Sequence, residues 1–149
     1  MIAVKLSRRA QALFKPGQPD APGTPRPDKG IMRRAALYLL RLQAERLEAG
    51  LGSNNAALKP YSKGYAAYRA SKGRSTDKRT LTFTGRMKAA RGVKAVTDKT
   101  AVIGWPAGEE AAKALGNQRR TPFVRATPDE IKKVTEFIRA ELRRKVRPK

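Results

Sequence analysis

The chain contains no cysteine and no histidine. Without cysteine there is no disulfide framework and no thiolate metal site. Without histidine the commonest general base and transition-metal ligand is missing, so neither a Ser-His-Asp nor a Cys-His centre can be assembled. Acidic residues are scarce, 12 Asp and Glu among 149 residues, and aromatics make up 6%. A core must therefore be drawn largely from Ala, Leu, Val and Ile. No apolar run approaches the roughly 20 residues that span a bilayer. The opening MIAVKLSRRAQALF is too short and too interrupted in its apolar stretch for a signal peptide, and it lacks the small-residue cleavage pattern. These absences set the expectation of a soluble, non-enzymatic protein, made in the cytoplasm, with no cofactor, no metal and no membrane partner.

What the chain has in excess is positive charge: 34 Lys and Arg, for a net +22. A field of that size attracts polyanions and repels copies of the same chain. Residues 1–50 carry 10 basic and 4 acidic side chains (+6), residues 51–100 carry 12 and 2 (+10), and residues 101–149 carry 12 and 6 (+6). The excess peaks in the middle but is general, unlike a basic tail on a neutral domain. Nucleic acid or an acidic protein surface is the expected neighbour.

The length suits one domain with a real core. Residues 1–14 form a short amphipathic candidate with Val4, Leu6, Leu13 and Phe14. Residues 15–30, KPGQPDAPGTPRPDKG, hold five prolines and three glycines, which predicts an irregular arm that orders against a partner. Residues 31–49 predict a helix: Ile31, Ala35, Tyr38, Leu39, Leu42 and Leu47 recur at helical spacing, Arg33, Arg34, Arg41 and Arg46 point outward, Asp28 is the N-cap and Gly50 the stop. Within PYSKGYAAYRASKGR (residues 60–74) a turn of helix is expected through Tyr65 and Tyr68. Residues 80–84 alternate as a brief strand with Leu81 and Phe83 on one face, Gly85 breaks it, and residues 86–91 form a short helix carrying Met87. Residues 93–97 and 101–105 read as a hairpin about Asp98, Lys99 and Thr100. A short helix follows over residues 109–115, and Gly116 is expected to open a loop. In the last helix Thr127 is the N-cap, Pro128 the first helical residue and Glu130 the closing residue of a capping box. Ile131, Val134, Ile138 and Leu142 line one face of it. Residues 147–149 are a basic tail.

TLTFTGRMKAARGVK (residues 80–94) invites a phosphate-loop reading, but such a loop needs two glycines spaced to expose successive N–H groups, then Lys and Ser or Thr. Gly85 is better read as a hinge from strand to helix. Lys63, Arg69, Lys72, Arg74, Lys78 and Arg79 are candidate contacts to a nucleic-acid backbone, with Tyr65 or Tyr68 stacking; Arg86, Lys88, Arg91 and Lys94 extend the set. The alternative is a solvated basic surface whose tyrosines pack on the domain. Glu109-Glu110 and Asp129-Glu130 are adjacent pairs, which diverge by about 100° on a helix, so helix initiation explains them better than acid/base or metal chemistry. Trp105 is either core at the sheet edge or an anchor for a partner.

Taken in order, PYSKGYAAYRASKGR (residues 60–74), LTFTGRM (residues 81–87), the hairpin (residues 93–105), EAAKALG (residues 110–116) and RRTPFVRATPDEI (residues 119–131) resemble the phage virion morphogenesis proteins, the neck and tail-completion family of tailed bacteriophages. The likeness spans residues 31–146. Lys113 stands where that family often has His, Leu115 where an aromatic is common, and Thr121 precedes Pro122-Phe123; the arm has no counterpart. The resemblance implies an α+β fold, a small antiparallel sheet flanked by a long helix in the N-terminal half and a C-terminal helix. It also implies no enzymatic activity and a virion location at the head–tail junction, in a homo-oligomeric ring of roughly six or twelve copies. Partners would be portal or head-closure proteins on one side, and tail-terminator or tail-tube proteins on the other, with nonspecific contact to packaged DNA. Pro19, Pro22, Pro25 and Pro27 of the arm, Trp105, Pro122 and Phe123 are the interface candidates, the last two also seating the loop before the final helix. The competing reading is a nonspecific nucleic-acid-binding accessory protein using residues 59–99. A nuclease lacks His and any convincing carboxylate cluster.

Overall fold

Local sequence signals build most of the elements. A computed structural model describes residues 4–5, 26–82 and 84–146. In chain order these form β1 (Val4–Lys5), α1 (Lys29–Glu48), α2 (Lys63–Ser71), α3 (Arg86–Ala89), β2 (Gly92–Val96), β3 (Ala101–Gly104), α4 (Glu109–Arg120) and α5 (Pro128–Val146). The class is α+β: β2 and β3 form an antiparallel hairpin, β1 pairs antiparallel with the other edge of β3, and helices pack around the sheet. The arm residues up to Pro25, the flanking Leu6, Leu13 and Phe14, Phe83 and the basic tail lie outside the described residues.

Asp28 caps α1 by accepting the Ile31 N–H at 2.8 Å. The helix starts at Lys29, so Lys29 and Gly30 belong to its first turn rather than to the arm. Gly50, at φ 76°, ends it: the Gly50 N–H reaches the Leu47 carbonyl and the Leu51 N–H that of Arg46, both at 3.0 Å. These are the paired bonds of a Schellman cap. Ala35 and Ala36 are fully buried with Leu39 and Leu42 against Ala101 and Ile103 of β3 and Val134 of α5. Tyr38 and Phe137 meet beside them with ring centroids 5.3 Å apart. The small alanines let α1 lie close to the sheet, which offsets the shortage of aromatics. Met32 and Gln43 join the buried face.

A second cluster seals the other end. Trp105, Ala114, Phe123 and Val124 are buried there, with Leu47, Leu81, Met87, Ala90 and Ala111 packed against them. The Trp105 indole N–H donates to the Met87 carbonyl at 2.6 Å. The capping box forms as its residues demand: the Thr127 N–H donates to Glu130 Oε2 at 2.9 Å and the Glu130 N–H to Thr127 Oγ1 at 3.2 Å.

Three expectations are corrected. The described residues of the expected strand, 80–82 and 84, form none; Leu81 sits at φ 57°, outside the extended region, and the Thr82 carbonyl accepts from Arg69 Nη1 at 2.8 Å instead of from a ladder partner. Gly116 does not open a loop: α4 runs through it to Arg120, held by buried Ala114 upstream and by Gln118, whose Oε1 accepts the N–H groups of Phe123 and Val124 at 2.9 and 3.0 Å. Arg46 does not point outward; it is buried on the same stripe as Leu39 and Leu42.

Candidate nucleic-acid interface

The strongest charge asymmetry lies in the middle of the chain, where Asp77 is the sole acidic residue between Glu48 and Asp98. The structure divides the ten predicted cations into two kinds. Lys63, Lys72, Arg74, Lys78, Arg86, Lys88 and Lys94 are exposed, and Arg79 is half-buried. Lys88 is ion-paired with Glu48 at the end of α1. Arg79 Nε is buried without a hydrogen-bond partner among the described residues.

Arg69 and Arg91 are corrections, because both fold inward. Arg69 is 4% exposed; its guanidinium donates to the Ser75 carbonyl at 3.0 and 3.1 Å and to that of Thr82. It clamps the turn after α2 to the bend before α3. Arg91 donates to Gln43 Oε1 at 2.6 Å and lies 5.0 Å over the Trp105 ring. Burial, then the neighbouring Arg46, pulls its guanidinium down to about 10. A cation held in this way keeps its charge but has donors committed inside the domain.

Beneath Arg91 lies a buried polar centre. Arg46 Nε donates to Glu130 Oε1 at 2.7 Å, and Arg46 Nη2 to the carbonyls of Phe123 and Arg125 at 3.1 and 3.2 Å. Gln43 Nε2 donates to the Val124 carbonyl at 3.0 Å. Side chains of α1 thus satisfy three successive carbonyls of the loop before α5, which has no ladder of its own. Two guanidiniums face one carboxylate here. Arg46 Nη1 and Arg91 Nε are buried without a hydrogen-bond partner among the described residues.

On the surface, Tyr61 just before α2 and Tyr65 and Tyr68 on it are in ring contact. The Tyr61 and Tyr65 rings are 5.3 Å apart and those of Tyr65 and Tyr68 6.2 Å. The Arg69 guanidinium lies 4.5 Å over the Tyr61 ring, and the Lys72 ammonium 6.0 Å from that of Tyr68. Tyr65 and Tyr68 are 41% and 50% exposed, so both present ring surface to solvent among the cations.

The interface candidates also separate. Pro19, Pro22 and Pro25 lie outside the described residues. Pro27 is half-buried and Pro122 exposed. Trp105 and Phe123, 7% and 1% exposed, meet edge to face at 6.2 Å inside the second cluster. They pack this chain's own interior, and an anchoring role for them on a neighbour is a correction. Sequence reasoning missed Lys29 and Arg33, which share an open groove with Lys94. Their i, i+4 spacing from the start of α1 was the available signal.

The acidic pairs behave as helix initiators, with Glu109 and Glu110 ion-paired to Lys113. Among the described residues no three or more His, Cys, Asp or Glu side chains gather to hold a metal, and no helix is long and apolar enough to cross a membrane. Fold and surface together define a small α+β domain with a sealed polar interior and a cationic, tyrosine-bearing flank. No known family profile, curated protein or solved structure matches the chain.

Proposed function

We propose that this chain is a structural protein of the head–tail junction of a tailed bacteriophage, a neck or tail-completion subunit that assembles into a ring around the DNA channel and joins the head connector to the tail. The observation that carries the reading is the second hydrophobic cluster. Leu81 and Met87, Trp105, Ala111 and Ala114, and Phe123 come from four separated segments that carry the family resemblance, and all pack in that one cluster. Segments scattered over the sequence thereby share a single packing unit, which supports reading them as one structural signature. The net charge of +22 supports a place beside DNA, whose phosphates offset the repulsion between copies.

Light scattering after size-exclusion chromatography, at low and high salt and with and without DNA, tests the proposal. The expected result is a particle many times the 16.4 kDa subunit mass that persists at high salt, with DNA affinity that falls steeply as salt rises. The acid-poor stretch from Glu48 to Asp98 favours a second reading, a nucleic-acid-binding accessory protein. A stable monomer at both salt concentrations that binds nucleic acid without sequence preference would overturn the first reading in favour of that one.

A further inference from the structure

We infer that α2 carries a stacking surface for unpaired nucleobases, with Tyr65 and Tyr68 as the ring platform and Lys63 and Lys72 as the flanking phosphate contacts. The rings are braced from one end. Tyr61 is held beneath the Arg69 guanidinium, and its hydroxyl accepts the Thr80 N–H at 3.3 Å. Tyr65 rests against it edge to face, and Tyr68 follows on the next turn. Arg69 is itself fixed by two carbonyls of the adjoining loop. The two outer rings are therefore positioned before any ligand arrives, yet keep 41% and 50% of their surface in solvent.

Charge selects the partner class. The helix contains no acidic residue. Lys63 and Lys72 stand at its two ends, about 13 Å apart along the axis. Cations on both sides of exposed rings fit a strand whose bases stack while its phosphates run alongside. A duplex hides its base faces in its own stack and would meet only the lysines. An acidic peptide would answer the charge but leave the half-exposed rings without a role. Ring assembly is read by particle size and base stacking by probe preference, so either reading fails without the other.

Fluorescence anisotropy of the full chain with labelled oligothymidylate of about 16 nucleotides, and with a duplex of the same length, tests the assignment. Oligothymidylate is expected to bind about tenfold tighter or more. Y65A/Y68A removes most of that preference and leaves duplex affinity within about twofold, whereas Y65F/Y68F, which keeps the rings, retains it. K63Q/K72Q weakens both probes and flattens the salt dependence. If circular dichroism shows the double alanine variant unfolded, Y65A and Y68A singly are each expected to lose about threefold or more for oligothymidylate alone. Equal affinity of the wild-type chain for both probes, or an unchanged preference in the alanine variants, would overturn the assignment. So would displacement of oligothymidylate by polyglutamate at equal charge concentration, which would give the surface to an acidic protein.

Discussion

Arg46 of α1 and Glu130 of α5 form an ion pair at 2.7 Å across 84 residues of sequence, with side chains only 6% and 7% exposed. Glu130 serves two masters: one carboxylate oxygen takes the guanidinium, the other the Thr127 N–H. The pair therefore fastens the end of the first long helix to the start of the last.

Replacing Arg46 by Met leaves the buried Glu130 without its ion-pair partner, with only the Thr127 N–H donating to it, and strips the Phe123 and Arg125 carbonyls of their donor. The expected cost is about 3–5 kcal/mol, because breaking one side of a buried pair exposes the full desolvation penalty of the other. The double variant R46M/E130M is expected to lose less than the two single variants combined. Urea denaturation with unchanged m-values checks both statements.

Two glycines of similar sequence character predict opposite outcomes. Gly85 stands at φ 81° with open space around a would-be Cβ, so G85A meets backbone strain and nothing else. A loss of about 1 kcal/mol is expected. Gly116 lies inside α4, also with open space and without a positive φ. There G116A is expected to stabilise by about 0.5–1 kcal/mol, raising Tm while G85A lowers it in the same calorimetric series.

Thr127→Ala removes one of the two reciprocal bonds of the capping box. It is expected to cost about 1 kcal/mol. Because Glu130 keeps Arg46, the loss should stay well short of that in R46M, which thermal unfolding of the two variants side by side will show.

Acid should weaken the fold through its surface carboxylates. The Ile31 N–H and then Lys145 hold Asp28 below its ordinary 3.8. Lys88, Lys113 and Arg34 do the same for Glu48, Glu109 and Glu141 respectively, against an ordinary 4.5. A carboxylate whose folded value is depressed stabilises the fold above its unfolded value, and that contribution disappears as pH falls through the folded one. Stability is expected to decline as pH drops below about 4.5, as these groups protonate and the +22 field loses its few counter-charges. Each exposed pair contributes little alone, so the decline should be gradual in a pH series of melting curves.

What the sequence made legible was local. Asp28 before a helical stripe, Thr127-Pro128-Asp129-Glu130, and Asp98-Lys99-Thr100 between β-prone runs each carry their own structure, and all three form in place. The misjudged residues are those whose conformation a distant partner decides. Arg46 reads as a surface charge until the loop carbonyls of residues 123–125 are placed beside it, although its spacing from Leu39 and Leu42 put it on the buried stripe. Arg69 and Arg91 look like members of a basic run, but free carbonyls and an indole ring draw them in. Leu81 alternates like a strand residue, yet at φ 57° it turns to pack against the second cluster. Within the candidate surface, the helical spacing of Tyr65 and Tyr68 was readable, while the Arg69 clamp over Tyr61 was not.

The single tryptophan gives the molecule an optical signature. Trp105 is buried at the meeting point of α3, β3 and α4, beneath the Arg91 cation, so its emission belongs to the second cluster alone. Excited selectively, it should emit at short wavelength and shift to the red when that end of the domain opens. If the clusters part in sequence during unfolding, the indole signal will separate in time from the helical signal dominated by α1 and α5.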